Sequence, residues 1–393
     1  MKSSTAIPRG VWVLGFVSLL MDISSEMIHS LLPLYLTVGL GASALAVGVI
    51  EGVAESTALI VKVFSGTLSD RWRKRKAITA FGYGLAAFSK PLFALATGPM
   101  LVFFARFMDR IGKGIRGAPR DALIADLTPK EIRGAAFGLR QSLDTIGAFA
   151  GPLLAMALML AWNDDFRAVF WVAVIPAMLS FLLILFAVKE PDAPPAETKA
   201  EKVSLDRATL RKLGPAFWGI TAAATAMTLA RFSEAFLILR GSDLHMELAY
   251  APLILVGMNV VYAATAYPVG RLADRMSRRT LLFIGIAFLV AADIVLAMAS
   301  NLVLLGVGIA LWGLHMGFTQ GVFSAMVAQS SPAALRGTAF GVFNLASGVA
   351  MLAASALAGA LWQFVGPGAT FVAGAVLAAL SFAITVLAIR SSK

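Results

Sequence analysis

Apolar residues run on for about twenty positions at a time, twelve times along the chain, and none of these runs alternates as a half-buried strand would. The pattern predicts helices at 11–35, 44–66, 77–97, 100–127, 134–160, 166–188, 215–240, 249–271, 280–299, 301–329, 336–361 and 367–390. Each is long enough to cross a hydrocarbon layer of about 30 Å. Lipid cannot satisfy free backbone groups, so only helices or a closed barrel can span it, and continuous runs exclude the barrel. The expected fold is an all-α polytopic membrane protein with twelve transmembrane helices.

One stretch breaks the rhythm. Residues 189–214 hold Pro191, Pro194 and Pro195 followed by Lys, Glu and Asp, the composition of a linker. On either side the sequence repeats. Residues 125–138, A-D-L-T-P-K-E-I-R-G-A-A-F-G, match 328–341, A-Q-S-S-P-A-A-L-R-G-T-A-F-G, at an offset of 203. Residues 66–71, G-T-L-S-D-R, match 270–275, G-R-L-A-D-R, at an offset of 204. Two independent matches at one spacing indicate internal duplication. The expected division is a six-helix bundle at 1–188, a cytoplasmic linker at 189–214 and a second six-helix bundle at 215–393. Parallel repeats of this kind place a substrate site between them, near mid-bilayer.

Composition agrees with a life in lipid: of 393 residues, 59% are hydrophobic and 14% charged, with a mean hydropathy of +0.82. A net charge of +11 raises the question of nucleic acid, and its distribution answers it. The loops on one side carry 22 basic residues and those on the other carry 2, Arg167 and Arg240. That asymmetry puts both termini in the cytoplasm and leaves no case for a nucleic-acid partner. The first apolar run is too long for a signal-peptide core, so it is expected to be retained. Compact loops suggest a bacterial cytoplasmic (inner) membrane. The chain has no cysteine, which excludes disulfides and thiolate chemistry. With no H-E-x-x-H, G-x-S-x-G or P-loop pattern, neither an enzyme nor a cofactor is expected. A receptor would call for a soluble signalling domain, and the longest polar segment has about 26 residues.

The charges inside the spans change the picture most. Nine cations fall there: Lys62, Lys90, Arg106, Arg110, Lys113, Arg116, Arg120, Arg140 and Arg231. The acids include Asp22, Glu26, Glu51, Glu55, Asp109, Asp121, Asp126, Asp144, Glu234 and Asp293. A lipid-facing charge at mid-span costs about 2.5–3.5 kcal/mol, so nine would cost on the order of 27 kcal/mol, more than the roughly 5–15 kcal/mol that holds a fold together. These side chains must face one another or water, and an internal polar cavity is expected. Helical spacing agrees. Asp22, Glu26 and His29 share a face, Glu51, Glu55 and Lys62 form a stripe, and Arg140 and Asp144 stack at i,i+4. The fourth span gathers Arg106, Asp109, Arg110, Lys113, Arg116 and Arg120 on about a third of its circumference. Arg231 and Glu234 on the seventh span are expected to answer Asp22 and Glu26 from the second half. Asp22, Glu26 and Glu55 are the candidates for proton exchange or for countering a cation. The basic stripe would balance them or hold an anionic group. Asp22, Glu26 and His29 at i, i+4 and i+7 would be the ligand set if the cargo were a divalent metal.

Three segments carry a family resemblance. Gly66, Asp70, Arg71 and Arg75 fall in a run that resembles the loop 2–3 motif of the major facilitator superfamily, G-x-L-x-D-[RK]-x-x-[RK]-[RK], and Gly270, Asp274 and Arg275 begin its second copy. Arg106 to Gly114 resembles the superfamily's helix 4 motif R-x-x-x-G-x-G, with Arg110 standing where the pattern has glycine. Gly147, Gly151 and Pro152 are similar to the G-x-x-x-G-P motif of its proton antiporters. The resemblance implies a secondary transporter working by alternating access, a proton-coupled antiporter that exports a small molecule or ion. It implies a cytoplasmic gate in which Asp126 partners the Arg71–Lys76 cluster, and a monomer in the bilayer.

Overall fold

The computed structural model describes residues 6–72, 74–190, 207–273, 276–320, 322–332 and 335–390; the linker prolines Pro191, Pro194 and Pro195 lie outside them. Among the described residues the helices group into twelve successive spans. The first six are α1 (Arg9–His29), α2 (Ala44–Trp72), α3 (Arg75–Leu95), α4 (Pro99–Leu127), α5 (Arg133–Ala161) and α6 (Phe166–Ala187). The remainder are α7a (Gly214–Ala230), α7b (Ala235–Asp243), α8 (Pro252–Ala273), α9 (Arg278–Met298), α10a (Leu302–Thr319), α10b (Val322–Ser330), α11 (Arg336–Phe364) and α12 (Pro367–Arg390).

Among the described residues, eleven spans are long and apolar enough to cross a membrane by themselves, and α4 is the one left out because of its charge. Large apolar side chains such as Phe81, Phe88, Phe104, Ile175 and Val303 are more than half exposed, as expected where the surrounding solvent is hydrocarbon. The protein is a multi-pass membrane protein.

By contacts the chain divides into two compact units, Met1–Leu31 with Thr57–Ala200, and Leu32–Ser56 with Glu201–Lys393. In the first, α1 packs on α5 and α6, and α3 on α4 and α6. In the second, α7a packs on α11 and α12, and α9 on α10a and α12. Each of these four pairings in the first unit recurs about 203 residues later in the second. The register holds down to single hydrogen bonds. Ile132 N–H donates to Pro129 O at 3.1 Å before α5, and Leu335 N–H donates to Pro332 O at 2.9 Å before α11. Ile132 and Leu335 share one backbone conformation, φ −116°, ψ 10° and φ −117°, ψ 8°.

Three expected helices are interrupted. Helix 1 ends at His29 and a short turn, Leu32–Leu34, follows; Pro33 has no N–H to give the carbonyl four residues back. Helix 7, expected as continuous, breaks between Ala230 and Ala235, the equivalent register. Irregular backbone needs local partners at membrane depth, and it has them: Ser233 N–H donates to Ser355 Oγ of α11 and Ala235 N–H to Ser233 Oγ, both at 3.2 Å. Helix 10 breaks at Gln320.

Arg167 and Arg240, expected as loop cations, each bind a helix end, Arg167 from an exposed position and Arg240 from a buried one. Arg167 Nη2 donates to Ala96 O beyond the end of α3 at 2.9 Å. Arg240 Nε donates to Leu296 O at 3.1 Å and Nη2 to Ala299 O at 2.6 Å, at the end of α9. Both satisfy carbonyls that a helix C-terminus leaves open, in repeat-related places.

Candidate functional site

The candidate site grows from α4. This helix buries Arg106, Asp109, Arg110 and Arg116, half-buries Arg120 and leaves Lys113 exposed. Its centre is an ion pair across helices: Lys90 Nζ of α3 lies 2.8 Å from Asp109 Oδ1, with side chains only 1% and 2% exposed. Lys90 Nζ also donates to Ser25 Oγ of α1 at 3.0 Å, and Arg110 Nε stands 3.5 Å from Asp109 Oδ2. A second network lies further along α4. Arg116 sits over the Tyr83 ring, 4.8 Å from its centroid. Arg120 Nη1 donates to Ser18 Oγ at 2.9 Å, and Arg120 Nε lies 3.2 Å from Asp121 Oδ1. Arg140 of α5 spans Asp121 at 2.9 Å and Asp144 at 3.1 Å, so the expected i,i+4 pair is in place.

On α1, Asp22 lies within electrostatic reach of Asp144, Arg116, Lys113 and Arg120. Glu26 lies within reach of Lys113 and Arg110 and meets His29 Nδ1 at 3.4 Å. Among the described residues no group of three His, Cys, Asp or Glu is arranged to hold a metal ion. Asp22, Glu26 and His29 share a helix face without converging on one point.

The glycines of α5 set these two acids in place. A Cβ added at Gly147 would come within 2.9 Å of Asp22 Cβ and 3.0 Å of Leu19 O. One at Gly151 would come within 2.7 Å of Ile23 O and 2.8 Å of Glu26 Cβ. Helices α1 and α5 approach this closely only because both side chains are missing. Pro152, next in the motif, is buried within α5.

The other sequence candidates lie elsewhere. Glu51, buried, and Glu55, half-buried, belong by contacts to the second unit. Arg231 and Glu234 flank the break in helix 7. At the motif-bearing end of the first unit, Arg75 Nη1 pairs with Asp126 Oδ2. The Lys76 N–H donates to the Glu190 carboxylate at 3.0 Å. The side chains of Asp70 and Arg71, and all of Asp274 and Arg275, lie outside the described residues. Among the described residues neither motif glycine meets a close neighbour: a Cβ on Gly66 would meet Ala118 Cβ at an ordinary 3.5 Å, and one on Gly270 would meet nothing within 4 Å.

Sequence reasoning counted Lys90, Asp109 and Asp293 as charges within spans and gave them no role. Lys90 had a signal, being the only charge between Lys76 and Arg106. Asp109 was counted as one member of a stripe, and periodicity along one helix cannot show a partner on another.

Two repeated bundles, a buried charge network and a duplicated basic loop define a polytopic membrane transporter. The sequence profile of the Major Facilitator Superfamily matches residues 14–258 and 235–393, and the chain belongs to that family, one of transporters and not of enzymes. An MFS-type transporter of Methanocaldococcus jannaschii is 33% identical over 391 residues, covering 97% of this chain and 95% of the relative. The multidrug resistance protein MdtH of Photorhabdus laumondii is 30% identical over 168 residues, 43% of this chain and 41% of the relative. Among solved structures, a bacterial homologue of the human lysosomal transporter Spinster has a TM-score of 0.78 at 15% identity, covering 97% of this chain and 96% of that one. At that identity the likeness is one of fold.

Proposed function

We propose that the protein is a proton-coupled exporter of a small molecule, working by alternating access in a bacterial cytoplasmic membrane with both termini inside. The observation that carries this reading is the seat of Asp22 and Glu26. Both lie on the face of α1 held against Gly147 and Gly151, the pair that resembles the antiporter motif. Both are also within electrostatic reach of Lys113 on the basic helix α4. A carboxylate so placed can exchange its salt partner for a proton as the surroundings change. The MdtH relative, a multidrug resistance protein by name, is consistent with export. Everted membrane vesicles holding a pH gradient, offered a panel of lipophilic cations and organic anions, test the reading. Substrate-induced proton flux is expected in wild type and absent in Asp22→Asn/Glu26→Gln; undiminished flux in that variant would remove both residues from coupling.

A second reading of the cargo, an organic anion, rests on the charge balance of the first unit. Within its expected spans Lys62, Lys90, Arg106, Arg110, Lys113, Arg116, Arg120 and Arg140 outnumber Asp22, Glu26, Asp109, Asp121, Asp126 and Asp144, eight to six. Among the described residues Arg116 Nη1 is buried with no hydrogen-bond partner. A bound carboxylate or phosphate would supply one. Flux elicited by the anions of the panel and not the cations would favour it.

A further inference from the structure

The repeat relates Lys90 to Asp293 and Asp109 to Trp312, each at the offset of 203. In the first unit this place holds a closed ion pair. In the second, among the described residues, it holds a carboxylate with no counter-charge. Asp293, in α9, has no exposed surface, and among the described residues neither of its carboxyl oxygens has a hydrogen-bond partner. Trp312 Nε1 on α10a is likewise buried without a partner among the described residues.

Among the described residues the surroundings offer no cation. Among the described residues α12, through Val386, has no ionisable side chain. On α10a the titratable group is His315, whose Nδ1 lies 2.8 Å from Gly285 O, about two turns along α9 from Asp293. Arg278 and Arg279 open α9 about four turns away. Arg240 is committed to Asp243 and to the carbonyls closing α9. Arg231 and Glu234 flank the helix 7 break, where Phe232 is the residue turned toward the site. A Cβ on Gly374 of α12 would lie 2.6 Å from Asp293 Oδ2 and 2.9 Å from Phe232 Cε1. The carboxyl therefore occupies a slot bounded by α12 backbone and an aromatic edge.

We infer that Asp293 is a proton-binding site, the second unit's counterpart of the Lys90–Asp109 pair. An ionised carboxylate enclosed without donor or counter-ion carries a large desolvation penalty. The ligand that completes this site must be a cation, and the closed slot admits none larger than a proton. The proton leaves when Phe232 and the irregular backbone at 231–234 move aside and let water reach the carboxyl, so occupancy is tied to the conformation of the broken helix.

Infrared spectroscopy of the purified protein in lipid nanodiscs tests this without any transported substrate, so its outcome is separate from that of the coupling role given to Asp22 and Glu26. Wild type at neutral pH should show the C=O stretch of a buried protonated carboxyl that is missing from Asp293→Asn, whose amide keeps the shape of the neutral acid. Gly374→Ala, which crowds Oδ2 and leaves the carboxyl in place, should shift that band. Superimposable wild-type and Asp293→Asn spectra would overturn the assignment, as would a band unmoved by Gly374→Ala.

Discussion

Lys90 and Asp109 show what a buried charge needs at the scale of a single residue. Their direct contact at 2.8 Å, with Ser25 Oγ as a third member, lets both remain fully enclosed. Removing one partner strands the other, and breaking such a pair costs about 3–5 kcal/mol. Lys90→Met should therefore lower the unfolding midpoint of the purified protein sharply. Lys90→Met/Asp109→Leu should recover most of the loss, because an apolar pair of similar volume leaves no charge behind. A double variant no more stable than the single one would mean that the pair holds α3, α4 and α1 together by more than mutual neutralisation.

At the scale of the helix, close approach and interruption do the work. Placing Leu at Gly151 forces atoms into Ile23 O and Glu26, and overpacking of this kind costs about 1–3 kcal/mol. Gly134, at the open start of α5, has nothing within 4 Å of an added Cβ. Gly151→Leu should destabilise measurably in thermal unfolding and Gly134→Ala should not; equal midpoints would show that α1 and α5 do not need the glycine seam. The helices themselves were legible as apolar runs because a bilayer demands some twenty such residues in a row. Their interruptions were not. Pro33 advertises the break in helix 1, yet the break in helix 7 falls at Arg231-Phe232-Ser233-Glu234, where no residue forbids a helix. What holds that bend is Ser355, 122 positions away, and no local pattern reports so distant a hydrogen bond. The candidate site was legible to the same degree. The stripe on α4 and the Arg140–Asp144 pair followed from spacing, while Lys90–Asp109 and the pairing of Gly147 and Gly151 with Asp22 and Glu26 join separate helices.

At the scale of the whole chain, the duplication is kept in helix order, packing and turn geometry, and departed from in charge. Among the described residues the first unit is dense with ion pairs; the second keeps the architecture and, at Asp293, a carboxylate without a partner. Loop chemistry departs less. Arg75 and Asp126 meet at the rim with side chains 24% and 20% exposed, where solvent holds an ion pair to about 1 kcal/mol or less. Asp126→Asn should leave the unfolding midpoint within about a degree or two and yet change the rate of flux in vesicles, if the pair belongs to a gate. An unaltered rate would make it a strut and no more.

The polarity of α4 has a consequence for how the protein is made. Arg106, Asp109, Arg110, Lys113, Arg116 and Arg120 disqualify this segment from entering lipid unaided, while its neighbour α3 bears the ammonium that neutralises Asp109 and is joined to it by residues 96–98 alone. Although α3 can cross by itself, α4 is expected to enter only against it, the two closing as a hairpin on the Lys90–Asp109 pair.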